Sequence, residues 1–268
     1  MKAPVFNPGW PDDVVALYRH DVQEMWDRRI APQIWNQYHN QLGIYLAIAG
    51  KRPLRILDVG CAQGTLALLL AERGHSVLAV DIRPQFLAYA KSRYTQGDIR
   101  FMTANALEDD LPGGHDLVFA NQIIEHLVYP VQFLSRLHRL LKPGGRLVAT
   151  TPNGAYIKNN LPSYAELGDP RDWEHKQFTA DGDGHFFAYS AGELRELFQT
   201  AQFREVQTRY FESPFINGHM KLRYLHGLTS SAPALRALDR LALALPWVGR
   251  LGAHQLLTTG VRPIASES

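Results

Sequence analysis

The chain has 268 residues, of which 46% are hydrophobic, 20% charged and 10% aromatic, with a formal net charge of +2. That composition excludes a disordered or fibrous chain and suits one large packed domain with additions. The near balance of charge gives no field demanding a polyanion, so no nucleic-acid partner is expected. The single cysteine, Cys61, excludes an intrachain disulfide framework and suits a reducing cytoplasm.

The opening MKAPVFNPGWPDD lacks the apolar stretch of a secretory signal, and Pro11 to Ala49 is helical in character. Val15, Tyr18, Val22 and Trp26 make one stripe, Ile34, Tyr38, Leu42 and Leu46 another, and Pro32 separates the two helices. Residues 1–50 therefore read as an N-terminal helical cap, partly over the mouth of a site. From Arg55 strand and helix alternate. RILDVG is a buried strand ending in glycine, TLALLLAERG a helix closed by Gly74, and HSVLAVD a second strand. The helix RPQFLAYAKSRY, the strands DIRFMTANA and HDLVFAN, the helix VQFLSRLHRLLKPGG and the strand GRLVATTPN follow. SAGELRELFQTAQF is a helix opened by Ser190, and REVQTRYF and QLLTTGVRP are late strands. Residues 51–268 thus form an α/β domain, a doubly wound and mostly parallel sheet covered on both faces.

Two insertions interrupt it, at about 154–189 and 213–252. The first is rich in Pro, Gly, Asn, Asp and His, and loops longer than ~12–15 residues are usually functional or mobile. The second contains PALRALDRLALALPW, in which Leu235, Leu238, Leu241 and Leu245 oppose Arg236, Asp239 and Arg240. A helix packed over the core is the favoured reading there. A lid, a dimer surface or an interfacial helix is the alternative. No window reaches the ~18 uncharged apolar residues of a transmembrane helix, which leaves peripheral membrane contact and a homodimer open.

The segment Leu57-Asp58-Val59-Gly60-Cys61-Ala62-Gln63-Gly64 carries the chemistry. Doubly wound sheets bind ligands beyond the carboxyl ends of their strands, and a glycine turn there lets a cofactor approach the backbone. A dinucleotide fingerprint starting at Gly60 would need glycine at 62, where the chain has Ala62, and the P-loop pattern is absent. The Asp58 carboxylate would repel a pyrophosphate but suits, directly or through water, the ammonium and sulfonium of S-adenosylmethionine. Asp81 lies 21 residues beyond Gly60, where a carboxylate can accept from ribose hydroxyls. Asn105 can offer an amide to an adenine edge, Ala106 leaves room for the ring, and Asn121 ends the fourth strand.

In this order LDVGCAQG, AVD, TANA, ANQIIEHL and LLKPGGRLVATTPN resemble the successive motifs of class I S-adenosylmethionine-dependent methyltransferases, from about Arg55 to Phe203. The resemblance implies a Rossmann-like seven-stranded sheet with the last strand antiparallel. It implies cofactor contacts at Asp58, Gly60, Asp81, Asn105, Ala106 and Asn121, joined in the same turns by Cys61, Gly64 and Ile82. Within the superfamily the pattern is most similar to ubiquinone-biosynthesis-type O-methyltransferases, through QLGIYL, QIIEHL and a histidine ahead of SAGEL. Two positions depart from that pattern. An arginine that helps hold the cofactor carboxylate is Gln41 here, and the ExxEH segment reads Gln122-Ile123-Ile124-Glu125-His126.

Methyl transfer from a sulfonium is an in-line displacement, and a hydroxyl acceptor benefits from a base near neutrality. His126, after Glu125 at the end of the fourth strand, is the first candidate, and His185 in Asp181-Gly-Asp-Gly-His185 the second. Glu125, His126 and His185 could also meet around a divalent metal, against which the Gln122 substitution argues. Trp35, Tyr38, Tyr156, Tyr164, Trp173, Phe186 and Tyr189 are candidate walls for a small-molecule acceptor. The expected activity is O-methylation of a small-molecule, sugar or lipid-linked hydroxyl. N- or C-methylation and a non-catalytic cofactor-binding scaffold are the rivals. No NPPY-like tetrapeptide follows the fourth strand, which counts against N-methylation.

Overall fold

The computed structural model describes residues 1–176, 185, 187–227 and 231–264. Its centre is one sheet of seven strands: β1 (Arg55–Val59), β2 (Ser76–Asp81), β3 (Asp98–Thr103), β4 (His115–Asn121), β5 (Leu141–Pro152), β6 (Arg204–Phe211) and β7 (Gln255–Val261). The order is β3-β2-β1-β4-β5-β7-β6. The first five strands pair in parallel, and β7 runs antiparallel to both β5 and β6. Strand order reverses between β1 and β4, so a crevice opens beyond their carboxyl ends.

Alternation along each strand divides the core between the faces. Leu57, Val59, Val118 and Ala120 face one side, with α5 (Pro130–Leu140) and α6 (Ala191–Thr200). Ile56, Leu117 and Phe119 face the other, with α2 (Pro32–Ala49), α3 (Thr65–Glu72) and the Leu87 side chain of α4 (Pro84–Ser92). Phe133, Leu134 and Leu137 of α5 are buried, each contributing roughly 1.5–3 kcal/mol of burial. α6 starts where Ser190 and Glu193 close a capping box, each satisfying a backbone N–H of the other.

The N-terminal stripe sits differently from the sequence reading. α1 (Asp12–Asp21) buries Val14, Leu17 and Asp21, leaving Val15 and Tyr18 half-buried. It continues into a π-helical turn, Val22–Trp26, whose extra residue rotates the following side chains. Pro32 opens α2, whose buried residues include Asn36, Leu42, Tyr45, Leu46 and Ala49. The expected helix through Lys142 and Gly145 stops at Leu140, where β5 begins.

The later insertion also departs from expectation. It forms α7 (Pro214–Asn217), α8 (Ser231–Ala244) and α9 (Pro246–Gly252). Of the leucines expected to cover the core only Leu235 is buried, while Leu238, Leu241 and Leu245 are exposed. The face turned inward carries Asp239 instead, because its carboxylate accepts the buried Ser213 N–H at 2.8 Å and ties α8 to the start of α7. The earlier insertion contains 3₁₀ turns at Tyr164–Leu167 and Pro170–Lys176, tied to the chain near Tyr189 by single bridges.

Candidate active site

β1 ends in a turn that demands glycine. Gly60 and Gly64 have φ of +65° and +75°, and an added Cβ would lie 2.8 Å from Ile123 Cδ1 and 2.7 Å from Ala90 Cβ respectively. The turn is anchored to β2: Cys61 N–H donates to the Val80 carbonyl at 3.0 Å, and Ala62 N–H to Asp81 Oδ2 at 2.9 Å. The other Asp81 oxygen accepts from Arg83 N at 3.0 Å. Val59, Gly60, Asp81, Ile82, Arg83, Asn105 and Ala106 line the crevice from this side, Gln122, Ile123 and His126 from the other. They border a crevice of about 780 Å3, a figure that includes space open to solvent.

Asp58 is buried beside this turn, and burial, reinforced by the Asp81 charge, pushes its carboxyl up to about 7. A carboxylate so disfavoured is a receptor for positive charge.

The N-terminal cap buttresses the turn from outside. Arg93 and Asp21 form an ion pair at 3.0 Å with both side chains fully buried. Arg93 also donates to the Gln63 carbonyl at 2.7 Å and the Thr65 hydroxyl at 3.0 Å. The Gln63 amide reaches Glu24 Oε2 at 2.8 Å and the Tyr38 hydroxyl at 3.1 Å. Burial, then the neighbouring Asp21, pushes Glu24 up to about 7.

At the crevice rim a 3₁₀ turn, Ile124–His126, presents Glu125 and His126. Glu125 is fully buried, and neither of its oxygens has a hydrogen bond of good geometry among the described residues. Burial pushes it up to about 8, and the nearby Thr151 hydroxyl offsets only part of that. The His126 ring meets His185 edge to face at 4.5 Å, and one donor atom from each of Glu125, His126 and His185 lies within 4.8 Å of the others.

A second polar cluster lies beyond Gln122. Its amide nitrogen donates to Gln255 Oε1 at 2.9 Å and to the Thr150 hydroxyl at 3.2 Å, and Gln255 Nε2 lies 3.3 Å from His254 Nδ1. His254 packs edge-on against Tyr156 and His219, whose hydroxyl and ring nitrogen are hydrogen-bonded to each other. Behind it Glu212 is fully buried, 4.0 Å from His254 Nδ1, and accepts the amides of Gln37 at 2.7 Å and Gln41 at 2.6 Å.

Comparison with known proteins fits this geometry. Residues 18–208 match the family described as a methyltransferase domain. The chain belongs to that family. A 110-residue stretch is 34% identical to a ubiquinone biosynthesis O-methyltransferase of Pseudomonas aeruginosa, covering 40% of this chain and 46% of that protein. The chain thus spans about half the length of this curated relative. Among solved structures, a SAM-dependent methyltransferase from Archaeoglobus fulgidus aligns with a TM-score of 0.56 at 17% identity, over 91% of this chain and 98% of that one. A phosphoethanolamine N-methyltransferase 2 from Haemonchus contortus aligns at 0.59 and 18% identity, over 93% and 57%. At these identities the alignments establish the fold, that of S-adenosylmethionine-dependent methyltransferases.

In this methyltransferase domain Gly60, Asp81, Ile82, Asn105 and Ala106 reach the crevice wall. Asn105 Oδ1 accepts from Leu107 N at 3.0 Å, so the oxygen braces its own loop. Asp58, Cys61, Gly64 and Asn121 are not in the lining. Gly64 caps α3, Asn121 accepts the Thr150 hydroxyl at 3.1 Å, and burial holds the Cys61 thiol well above its ordinary pKa. Gln41 is turned to Glu212. Of the aromatic candidates, Tyr38 touches the glycine turn, Tyr156 joins the histidine cluster, and Tyr164 and Tyr189 donate to the carbonyls of Val128 and Ile124. Trp35 stacks on His39, Trp173 donates to the Leu167 carbonyl, and Phe186 lies outside the described residues. Gln122, noted in the sequence only as a departure from the ExxEH pattern, has a φ of +54° that its residue type does not signal, and His219, His254 and Glu212 are brought together only by the fold.

Proposed function

We propose that this domain transfers the methyl group of S-adenosylmethionine to a hydroxyl of a small or amphipathic organic acceptor. The observation that carries the reading is His126 on the wall of the same crevice that Gly60 and Asp81 form from the other side. Asp81 would accept from the ribose hydroxyls, Asn105 and Ala106 would flank the adenine, and the Asp58 charge would favour the sulfonium. As the acceptor oxygen forms its bond to the methyl carbon, the carbon–sulfur bond breaks and its electron pair stays on sulfur, giving S-adenosylhomocysteine. The hydroxyl proton passes to His126, and His185 beside it would help orient the acceptor. Such an enzyme would serve a biosynthetic step in the cytoplasm, a compartment that the single cysteine, Cys61, suits.

A second reading of the same rim concerns a divalent cation. Glu125 is a buried carboxyl with no good hydrogen bond among the described residues, next to two histidines, and that donor set fits a metal. Glu125, His126 and His185 would hold the ion, which would polarise an acceptor oxygen when bound. The test of both readings is S-adenosylhomocysteine formation over a panel of phenols, sugars and lipid-linked hydroxyls, with and without chelator. Turnover on hydroxyl acceptors supports the first reading, and turnover on amines alone refutes it. Loss on chelation with recovery on metal add-back supports the cation, and unchanged rates refute it.

A further inference from the structure

A groove separate from the crevice runs between α2 and α8 along β6, the edge strand of the sheet. It holds about 1370 Å3 of open space and shares no lining residue with the cofactor crevice. Its apolar floor includes Gly43, Ile44, Ala47 and Ile48 of α2 and Leu243 of α8. Three guanidinium groups, Arg209, Arg236 and Arg240, stand along it. None of the three is within salt-bridge distance of a carboxylate among the described residues. The one acid in the lining, Asp239, is turned to the Ser213 N–H.

Two further features mark the groove as built for a ligand. Gly43 sits inside α2, where glycine is the poorest helix former after proline, yet a Cβ there would meet no atom within 4 Å. Nothing in the folded chain calls for glycine at that position, whereas a chain laid along the helix would. Asn40 lines the same groove, and its Nδ2 is shielded without a hydrogen-bond partner among the described residues, so a turn of the amide would offer a bound oxygen a donor at little cost.

We propose that this groove binds a single-chain amphiphile with an anionic head, its tail on the α2 floor and its head between Arg236 and Arg240. Apolar floor and unpaired guanidiniums together select this class: a neutral lipid leaves the arginines unused, and a bare anion leaves the floor wet.

The test is calorimetric titration of the full chain with three probes: dodecyl phosphate below its micellar concentration, inorganic phosphate, and dodecyl maltoside. The expected result is saturable one-to-one binding of dodecyl phosphate, at least about tenfold tighter than either single-feature probe. The double variant Arg236→Gln/Arg240→Gln should weaken it about tenfold or more, and Gly43→Leu, which fills the floor, should abolish it. Both variants should bind S-adenosylmethionine as the parent does. Equal binding of the maltoside, equal binding of inorganic phosphate, or indifference to both substitutions would overturn the proposal. So would a concentration-dependent dimer weakened by the same substitutions, which would make the groove an interface between copies. Failure of dodecyl phosphate to bind while the cofactor still binds would sink this proposal and leave the methyltransferase reading intact.

Discussion

Asp58 makes cofactor affinity depend on pH in a direction that can be worked out. Its carboxyl sits at about 7 because of burial and then the Asp81 charge. At pH 6 about one tenth of the protein carries the ionised form, and at pH 8 about nine tenths. A cationic ligand favours that form and lowers the pKa, so binding expels a proton and tightens as pH rises. Between pH 6 and 8 the affinity should increase roughly ninefold, about 1.3 kcal/mol, with about half a proton released per cofactor at pH 7. Calorimetry in two buffers of different ionisation enthalpy measures both quantities. Glu24, also near 7, titrates in the same range, so Asp58→Asn is the decisive control: it should weaken binding at pH 8 and remove the release. The same substitution should stabilise the empty protein at pH 8. The folded pKa lies above the ordinary 3.8, so the Asp58 contribution to stability falls as pH rises from about 4 to about 7, and asparagine removes that loss. Proton release undiminished in Asp58→Asn, or affinity flat from pH 6 to 8 in the parent, would refute the assignment.

Three other outcomes follow from the geometry. Gly64→Ala should cost about 2–4 kcal/mol in urea unfolding, from left-handed strain plus overlap with Ala90, whereas Gly74→Ala, left-handed but with open space, should cost only the strain of about 1–2 kcal/mol. Arg93→Met should destabilise by about 3–5 kcal/mol, because it leaves Asp21 buried and uncompensated, and adding Asp21→Asn should recover part of the loss. His126→Ala should lower turnover on a hydroxyl acceptor by about 10²–10⁴ while cofactor affinity stays constant, and an unchanged rate would remove it as the base.

The sheet was legible because its signals are local. Short apolar runs ending at Gly60 and Asp81, and the Ser190–Glu193 cap, depend on neighbours a few residues away, and those strands and that helix start stand where the spacing put them. Faces of helices were harder. The α8 leucines matched a helical period, but a buried Asp239–Ser213 hydrogen bond, invisible in any pattern, decides which side turns inward. In the same way the inward face of α1 carries Val14, Leu17 and Asp21, one residue off the Val15–Tyr18 stripe, with Asp21 held inside by its ion pair with Arg93. Half of the candidate site was readable from motif order, namely the glycine turn, Asp81 and the Asn105–Ala106 pair. On the other wall His126 was readable too, but the polar cluster beyond Gln122 was not, because Glu212, His219 and His254 come from separate segments and meet only once β5, β6 and β7 are aligned.

The most direct test of the central claim is titration of the purified chain with S-adenosylmethionine and, separately, with NADH. Saturable binding of S-adenosylmethionine alone, weakened by Asp81→Ala, is the expected result. Binding of NADH alone, or of neither ligand by protein shown to be free of copurified cofactor, would contradict it.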